Sequence, residues 1–193
     1  GSSQLAAIVI FIASTIAFFR ILTEILIVAP GVMPQVAPPL LVIVGLMAVT
    51  GLIAYFTNKD ESDHMPEQEN PAQLKAALVF GAIYGLVILA TAAAEDYLGD
   101  NGLYIVAIIW GLTDVDAITL STSRLMSMGS LSPDSGWRVI LVAALSNVAF
   151  KGALAGFLGN KVLLAKLSLL FGIVLLGGLL VLWWWPSGYS FQV

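Results

Sequence analysis

Long apolar stretches alternate with short polar or proline-rich segments along this chain. A helix that crosses the hydrocarbon core of a bilayer needs about 20 mostly apolar residues. The stretches that meet this length are 4–29, 38–57, 73–94, 102–126, 137–158 and 162–185. We therefore predict an all-α polytopic membrane protein, with six transmembrane helices in a single domain over residues 4–193.

The composition excludes several other classes of protein. Of the 193 residues, 59% are hydrophobic and 10% are charged, whereas soluble domains have about 25% charged residues. The chain has no cysteine and a single histidine, His64. This excludes a disulfide framework and a metal centre built from cysteines or clustered histidines. The net charge of −4 provides no basic surface for nucleic acid, so the expected partner is the lipid bilayer.

The positions of lysine and arginine predict the orientation, because cytoplasmic loops carry more of these residues. The predicted topology places Lys161 and Lys166 on one side and, on the other, Lys59, Lys75, Arg124 and Arg138. We predict a multi-pass protein of the bacterial inner membrane, with both termini and the polar loop 58–72 in the cytoplasm. Residues 1–3, Gly-Ser-Ser, resemble a cloning scar and are left out of the fold prediction.

Two predicted spans share a short sequence pattern. The segments 74–85 and 165–177 both contain a lysine followed five residues later by Phe-Gly. Three spans per half would place these copies in opposite orientations, as in transporters with 3+3 inverted repeats, so such a repeat is part of the predicted fold. Glycines spaced four residues apart, which allow close packing within the fold or in a homodimer, are Gly81/Gly85 and Gly152/Gly156.

Charged and polar side chains occur within three predicted spans. An ionisable group at the bilayer centre costs between about 2.5 and more than 10 kcal/mol, so it normally faces protein or water. Arg20 and Glu24 lie one helical turn apart in the first span, as do Asn147 and Lys151 in the fifth. The members of each pair can share one helix face. We predict that these four residues act as gate or counter-charge residues.

Asp114 and Asp116 lie in the fourth span, within the string WGLTDVDAITLS. On a regular helix the two side chains would point about 200° apart. Either protein surrounds the helix on both sides, or the helix is interrupted near Gly111–Thr113, which would free carbonyls and bring the carboxylates together. We predict an interrupted fourth helix and an ion-binding site of Asp114, Asp116, Thr113 and Thr119. The two aspartates are also candidate metal ligands, for Mg²⁺ or Na⁺; no other cofactor is expected.

A purely structural role is the alternative for these charges. Asp114 or Asp116 can pair with Arg20 or Lys151, and such buried pairs order a bundle while adding little net stability. With Glu24, three acids oppose two cations, which leaves one carboxylate to be protonated or to attract a cation. The hydroxyls expected to bond only to carbonyls of their own helices are those of Ser14, Thr15, Thr119, Ser121 and Thr122.

Three strings of the chain are similar to one known family: 19–41 (FRILTEILIVAPGVMPQVAPPLL), 110–121 (WGLTDVDAITLS) and 145–155 (LSNVAFKGALA). They resemble the six-span domain of unknown function 4010, which in many bacterial proteins follows an MgtC/SapB-type membrane domain. The resemblance extends over essentially the whole chain and includes the charged positions chosen above. It implies an MgtC/SapB-type domain as a partner in a longer protein, whereas the link to magnesium belongs to that other domain.

Two main hypotheses for the function follow. The first is a channel or transporter that moves a cation or proton through a midplane site on the GLTDVDAITLS helix. The second is a non-transporting scaffold or regulatory module that is fused or bound to an MgtC/SapB-type domain. An intramembrane aspartyl protease would need two aspartates on facing elements, whereas Asp114 and Asp116 are neighbours on one segment. We therefore expect no enzyme and no catalytic residues.

Overall fold

The described part of the chain is helical. A computed structural model describes residues 2–57, 78, 82 and 103–186. Within these residues the helices are α1 (Ser2–Val28), α2 (Met33–Thr57), α3 (Leu103–Thr113), α4 (Val115–Ser127), α5 (Pro133–Leu158) and α6 (Lys161–Trp184), with a 3₁₀ turn at Pro30–Val32. The all-α prediction is therefore confirmed for these residues. The polar loop 58–72 and, apart from two positions, the third predicted span 73–94 lie outside them, so six spans and an inverted repeat stay predictions.

Four helical segments of the described chain are long and apolar enough to cross a membrane: Ala6–Val28, Pro30–Thr57, Pro133–Phe157 and Lys161–Trp184. Helix α3 is apolar but shorter. Large apolar side chains remain exposed on the outside of the bundle, among them Ile27, Phe56 and Leu169. Lipid is the solvent in which such a surface is stable, and these helices indicate a membrane protein.

Helix α2 begins at Met33, five residues before the predicted start, so that boundary was wrong. Proline fixes a helical φ and lacks only its own amide hydrogen, which is tolerated best in the first turn of a helix. Pro34 lies in that first turn, whereas Pro38 and Pro39 lie inside α2. Burial of Val36, which is 0% exposed, helps to hold this proline-rich first part in the helix.

Helix α5 is the centre of the bundle and packs against α2, α3, α4 and α6. It runs antiparallel to α6. Leu145 of α5 meets Gly178 of α6, whereas Gly156, which comes later in α5, meets Leu164, which comes earlier in α6. Helix α5 also runs antiparallel to α3 and α4, because Ile108 meets Ser146, Gly111 meets Ala143 and Met126 meets Gly136. The Gly152/Gly156 face of α5 thus contacts α6, which confirms close packing within the fold for this glycine pair; Gly81 and Gly85 lie outside the described residues.

The helix directions define two ends of the bundle. Thr57 and Lys166 line the same apolar cavity, so the end of α2 lies beside the start of α6. We name this the Thr57 end, and the opposite one, where α6 finishes, the Trp184 end. Helix α1 begins at the Thr57 end, since Ala7 lines that same cavity. The first described helix, α1, therefore begins at the Thr57 end, and the last, α6, finishes at the Trp184 end. The predicted orientation requires both termini on one side, and the described helices by themselves do not place them there.

Candidate functional site

The predicted interruption of the fourth span is present and lies at Asp114. Helix α3 ends at Thr113 and α4 begins at Val115, while Asp114 between them has extended backbone angles, φ −144° and ψ 92°. Its Oδ1 accepts hydrogen bonds from the backbone amides of Asp116 (3.0 Å) and Ala117 (3.1 Å). Asp114 is thus the N-cap of α4, a position at which a short acidic side chain satisfies amides that have no helical acceptor.

Capping by Asp114 changes the hydrogen bonding of the carbonyls that precede it. The regular ladder of α3 finishes with the Asp114 amide, which donates to the Trp110 carbonyl at 2.8 Å. In a continuous helix the Asp116 and Ala117 amides would donate to the carbonyls of Leu112 and Thr113. Because Asp114 accepts both amides instead, these two carbonyls lose their helical donors.

The preceding carbonyl, that of Gly111, receives a donor from α5. Asn147 Nδ2 donates to it at 2.9 Å, and Ser146 Oγ donates to the Ile108 carbonyl at 2.6 Å. A Cβ at Gly111 would overlap the backbone of Ala143. The glycine that suggested unwinding in the sequence therefore serves close packing, which brings Asn147 within reach of the break.

Arg20 joins α1 to α4 just after the break. Its Nη2 donates to Asp116 Oδ1 at 2.6 Å, and its Nε lies 3.7 Å from Oε1 of Glu24, one turn further along α1. The contacts predicted between Arg20 and Glu24 and between Arg20 and Asp116 are both present, while the role of these residues stays a prediction. The two aspartates have separate partners, since Asp114 binds backbone amides and Asp116 binds the guanidinium.

Glu24 is the acid of this cluster that lacks a complete set of hydrogen-bond donors. Its Oε2 is buried and has no hydrogen-bond donor among the described residues. The exposed fraction of its side chain is 17%, compared with 30% for Asp116 and 58% for Arg20. The cluster of Arg20, Glu24 and Asp116, which we call the Arg20 cluster, therefore has a buried carboxylate oxygen on the inside and an open guanidinium on the outside.

Lys151 lies on α5 beside the start of α4 and forms no ion pair within 4 Å among the described residues. Together with Ser14, Val115 and Asn147 it lines a cavity of about 10 Å³, which is close to the smallest space that holds one water molecule. The alternative in which Lys151 pairs directly with an aspartate is not observed in this part of the chain.

The two threonines of the predicted ion site use their hydroxyl hydrogens within their own segment. Thr113 Oγ1 donates to the Trp110 carbonyl at 3.2 Å, and Thr119 Oγ1 donates to the Val115 carbonyl at 2.8 Å. The expected bonds to own-helix carbonyls are found for Ser14, Thr15, Thr119 and Ser121. Thr122 is the exception, because its buried hydroxyl has no partner among the described residues.

The described residues supply no further ligand for a metal ion at Asp114 and Asp116. No group of three or more His, Cys, Asp or Glu side chains in this part of the chain could hold a metal ion. Asp114 already accepts two amides, and Asp116 binds a guanidinium. Metal and ion binding by these residues stay predictions.

Sequence reasoning missed a second arginine cluster at the Trp184 end. Arg138 Nη1 donates to the Leu182 carbonyl at 2.6 Å and Nη2 to the Trp185 carbonyl at 3.1 Å. Its Nε lies 3.3 Å from Asp134 Oδ2, and its guanidinium lies 4.4 Å from the centre of the Trp137 ring. The spacing of Asp134 and Arg138, one turn apart, was the available signal. We call these residues the Arg138 cluster.

Comparison with known proteins supports the resemblance found in the sequence. The family model for the domain of unknown function (DUF4010) matches residues 1–159, a range that includes both sides of the Asp114 break. An uncharacterized protein of Aquifex aeolicus (strain VF5) is 30% identical over 162 residues, covering 82% of this chain and 70% of that protein. No solved structure matches this chain.

Proposed function

The chain belongs to the DUF4010 family, and from the site that it builds we propose a bacterial inner-membrane protein that moves a proton or small cation. In this proposal, Glu24 and Asp116 bind and release the ion, and Arg20 is their shared counter-charge. The observation that carries the proposal is the buried Oε2 of Glu24, which has no hydrogen-bond donor among the described residues.

The charge balance of the Arg20 cluster supports this role. One guanidinium serves two carboxylates, and it contacts Asp116 more closely than Glu24. A buried ionised carboxylate without a complete set of donors is costly, so such a group binds a proton or a cation. Glu24 is therefore charged or neutral according to which of the two acids Arg20 binds.

A proton fits the ligands better than a divalent metal ion. Mg²⁺ requires near-octahedral coordination by oxygen atoms, and the described residues contain no group of three acidic or histidine side chains suited to a metal. The adjacent guanidinium also repels a dication. A proton needs one carboxylate oxygen, which Glu24 provides.

The helix break and α5 support the same proposal. Membrane transporters form ion sites where interrupted helices expose backbone groups at the bilayer midplane. Here the carbonyls of Leu112 and Thr113 lose their helical donors, while Asn147 fixes the neighbouring carbonyl of Gly111. Lys151 supplies positive charge close to the break without forming a direct pair, so it can compensate Asp116 when Arg20 turns to Glu24.

Purified protein in liposomes tests the proposal. An inward proton gradient is imposed, and a pH-sensitive dye inside the vesicles reports acidification. We expect acidification faster than in protein-free vesicles, with a loss of this activity in Glu24→Gln. Asp134→Asn is the matched control, because it removes an acid of the Arg138 cluster and should keep the activity. Equal rates with and without protein in proton, Na⁺ and Mg²⁺ gradients would reject the proposal.

The second candidate is a non-transporting scaffold or regulatory module, with an MgtC/SapB-type domain or a second copy of the chain as partner. It is favoured by the contacts that tie the break to its surroundings, Arg20–Asp116 on α1 and Asn147–Gly111 on α5. The cavity beside the break has room for about one water molecule. This candidate predicts no flux in the liposome assay, and Glu24→Gln would then change only the stability or the partner affinity.

A further inference from the structure

Helix α4 carries hydroxyl groups on its buried face. Thr119, Thr122 and Ser123 are 0%, 1% and 0% exposed. Residues three or four apart lie on the same side of a helix, so these three hydroxyls continue from Asp116 towards the Trp184 end. At about 1.5 Å per residue, Ser123 lies about 10 Å along the helix from Asp116.

Two of these hydroxyls have no partner among the described residues, namely Thr122 Oγ1 and Ser123 Oγ. Other hydroxyls of the bundle, such as those of Ser14 and Thr119, donate to the carbonyl four residues earlier, which is the usual solution inside a membrane helix. A buried hydroxyl left without a partner costs about 1–3 kcal/mol. Buried polar groups are normally hydrogen-bonded, and ordered water is the usual partner where the protein supplies none.

We propose that Thr122 and Ser123 bind water, and that this water forms a hydrated route along the buried face of α4, from Asp116 to the Trp184 end. That the route carries the transported proton rests on the function proposed above. The binding of water does not depend on that function, because it is inferred from the burial and the missing partners of the two hydroxyls.

Met126 marks the outer limit of this route. It lies one turn beyond Ser123 on the same face, is 4% exposed, and its side chain occupies the space in front of Gly136. Methionine is flexible and adapts to irregular spaces. Its side chain therefore closes the route in this conformation and can open it by a change of rotamer.

Cysteine accessibility tests the route directly, because the chain has no native cysteine. The variant Ser123→Cys keeps the size of the side chain. Val174→Cys is the matched control, since Val174 is 0% exposed and belongs to the apolar core. Protein in liposomes is treated with Ag⁺, and thiols that remain free are counted with a maleimide after denaturation.

We expect Ser123→Cys to react with Ag⁺ at least about tenfold faster than Val174→Cys, because a hydrated thiol ionises more readily than one in apolar surroundings. Equal rates for the two variants would overturn the inference. The result is independent of transport: reaction of Ser123→Cys in a protein without flux would retain the hydrated route and reject only the proposed function.

Stability provides a second test. Replacing a dry, unpartnered hydroxyl by an apolar group is neutral or stabilising, whereas replacing one that binds water leaves that water without a partner. We expect Ser123→Ala and Thr122→Val to lower the midpoint of thermal unfolding in detergent. An unchanged or higher midpoint for both variants would show that the hydroxyls are dry and would contradict the inference.

Discussion

The Arg20 cluster and the Arg138 cluster both combine an arginine with an acid one helical turn away, yet they differ in how completely their polar atoms are used. Arg138 binds Asp134 and two carbonyls at the end of α6 and lies over Trp137, and its side chain is 17% exposed. Arg20 is 58% exposed and leaves one oxygen of its neighbouring acid without a donor. A complete set of partners indicates a structural role, and an incomplete one marks the better candidate for function.

The order of the charges along each helix contributes to this difference. Asp134 lies in the first turn of α5, where an acid is stabilised by the amide end of the helix, and it precedes its arginine. Arg20 precedes Glu24, which is the less favourable order. The Arg138 cluster therefore fixes the end of α6, whereas the Arg20–Glu24 pair gains little from its own helix.

The largest effect on stability is expected at the Arg138 cluster. Arg138→Met should lower the free energy of unfolding by about 3 kcal/mol, because it leaves the Asp134 carboxylate and two carbonyls without their donor. Denaturant unfolding in micelles, followed by tryptophan fluorescence, measures the change. The exposed Arg124 supplies the control, since Arg124→Met should change stability by no more than about 0.5 kcal/mol. Equal effects of the two variants would show that the contacts of the Arg138 cluster do not stabilise the fold.

The next largest effect is expected where α3 meets α5. Gly111→Ala places a methyl group against the backbone of Ala143 and should cost about 2 kcal/mol. It should also move α3 away from Asn147. Gly45→Ala is the matched control, because nothing lies within 4 Å of the added carbon there and alanine favours the helix by about 1 kcal/mol. A neutral Gly111→Ala variant would contradict the close packing of α3 on α5.

Two substitutions of Asp114 distinguish its role as an N-cap from the role of its negative charge. Asp114→Ala removes the acceptor of two amides and should cost about 1 kcal/mol, whereas Asp114→Asn keeps a good N-cap and should cost less. Unfolding measurements in the same micelles compare the two variants. If Asp114→Asn retains stability but abolishes flux in liposomes, the charge itself is needed for transport. If the alanine and asparagine variants are equally unstable, capping is not what holds the break.

The smallest effect on stability, and the sharpest contrast with Arg138, is expected at Asp116. Partly exposed ion pairs contribute about 0–1 kcal/mol, so Asp116→Asn should unfold almost like the wild type. Its flux in liposomes should nevertheless be lost, because Arg20 would then stay with Glu24. Wild-type flux in both Asp116→Asn and Glu24→Gln would show that the Arg20 cluster is structural after all.

The broad outline of the molecule could be predicted because it depends on local properties. Long apolar stretches predict membrane helices, the cost of buried charge identified Arg20, Glu24 and Asp116, and two aspartates in sequence predicted a broken helix. What could not be predicted depends on tertiary contacts. The carbonyls bound by Arg138 lie 44 and 47 residues away in the chain, and nothing near Arg138 in the sequence indicates them.

The role of Asp114 as the N-cap of α4 could have been predicted from the sequence. A short acid followed by a polar helix is a common N-cap, and this signal is present at Asp114 in addition to the opposed directions of the two carboxylates. The start of α2 was placed too late. Pro38 and Pro39 look like a helix boundary in the sequence, and only the burial of residues such as Val36 shows that the helix continues through them.

The break at Asp114 brings two helix termini of opposite polarity together. The carbonyl terminus of α3 carries a partial charge of about −0.5, and the amide terminus of α4 about +0.5. Asp114 neutralises the positive terminus, while an uncharged amide, that of Asn147, meets the negative one. Because the two termini carry opposite partial charges, the charge left at the break is that of the Asp114 carboxylate, and the guanidinium of Arg20 and the ammonium of Lys151 oppose it whenever Glu24 and Asp116 are protonated.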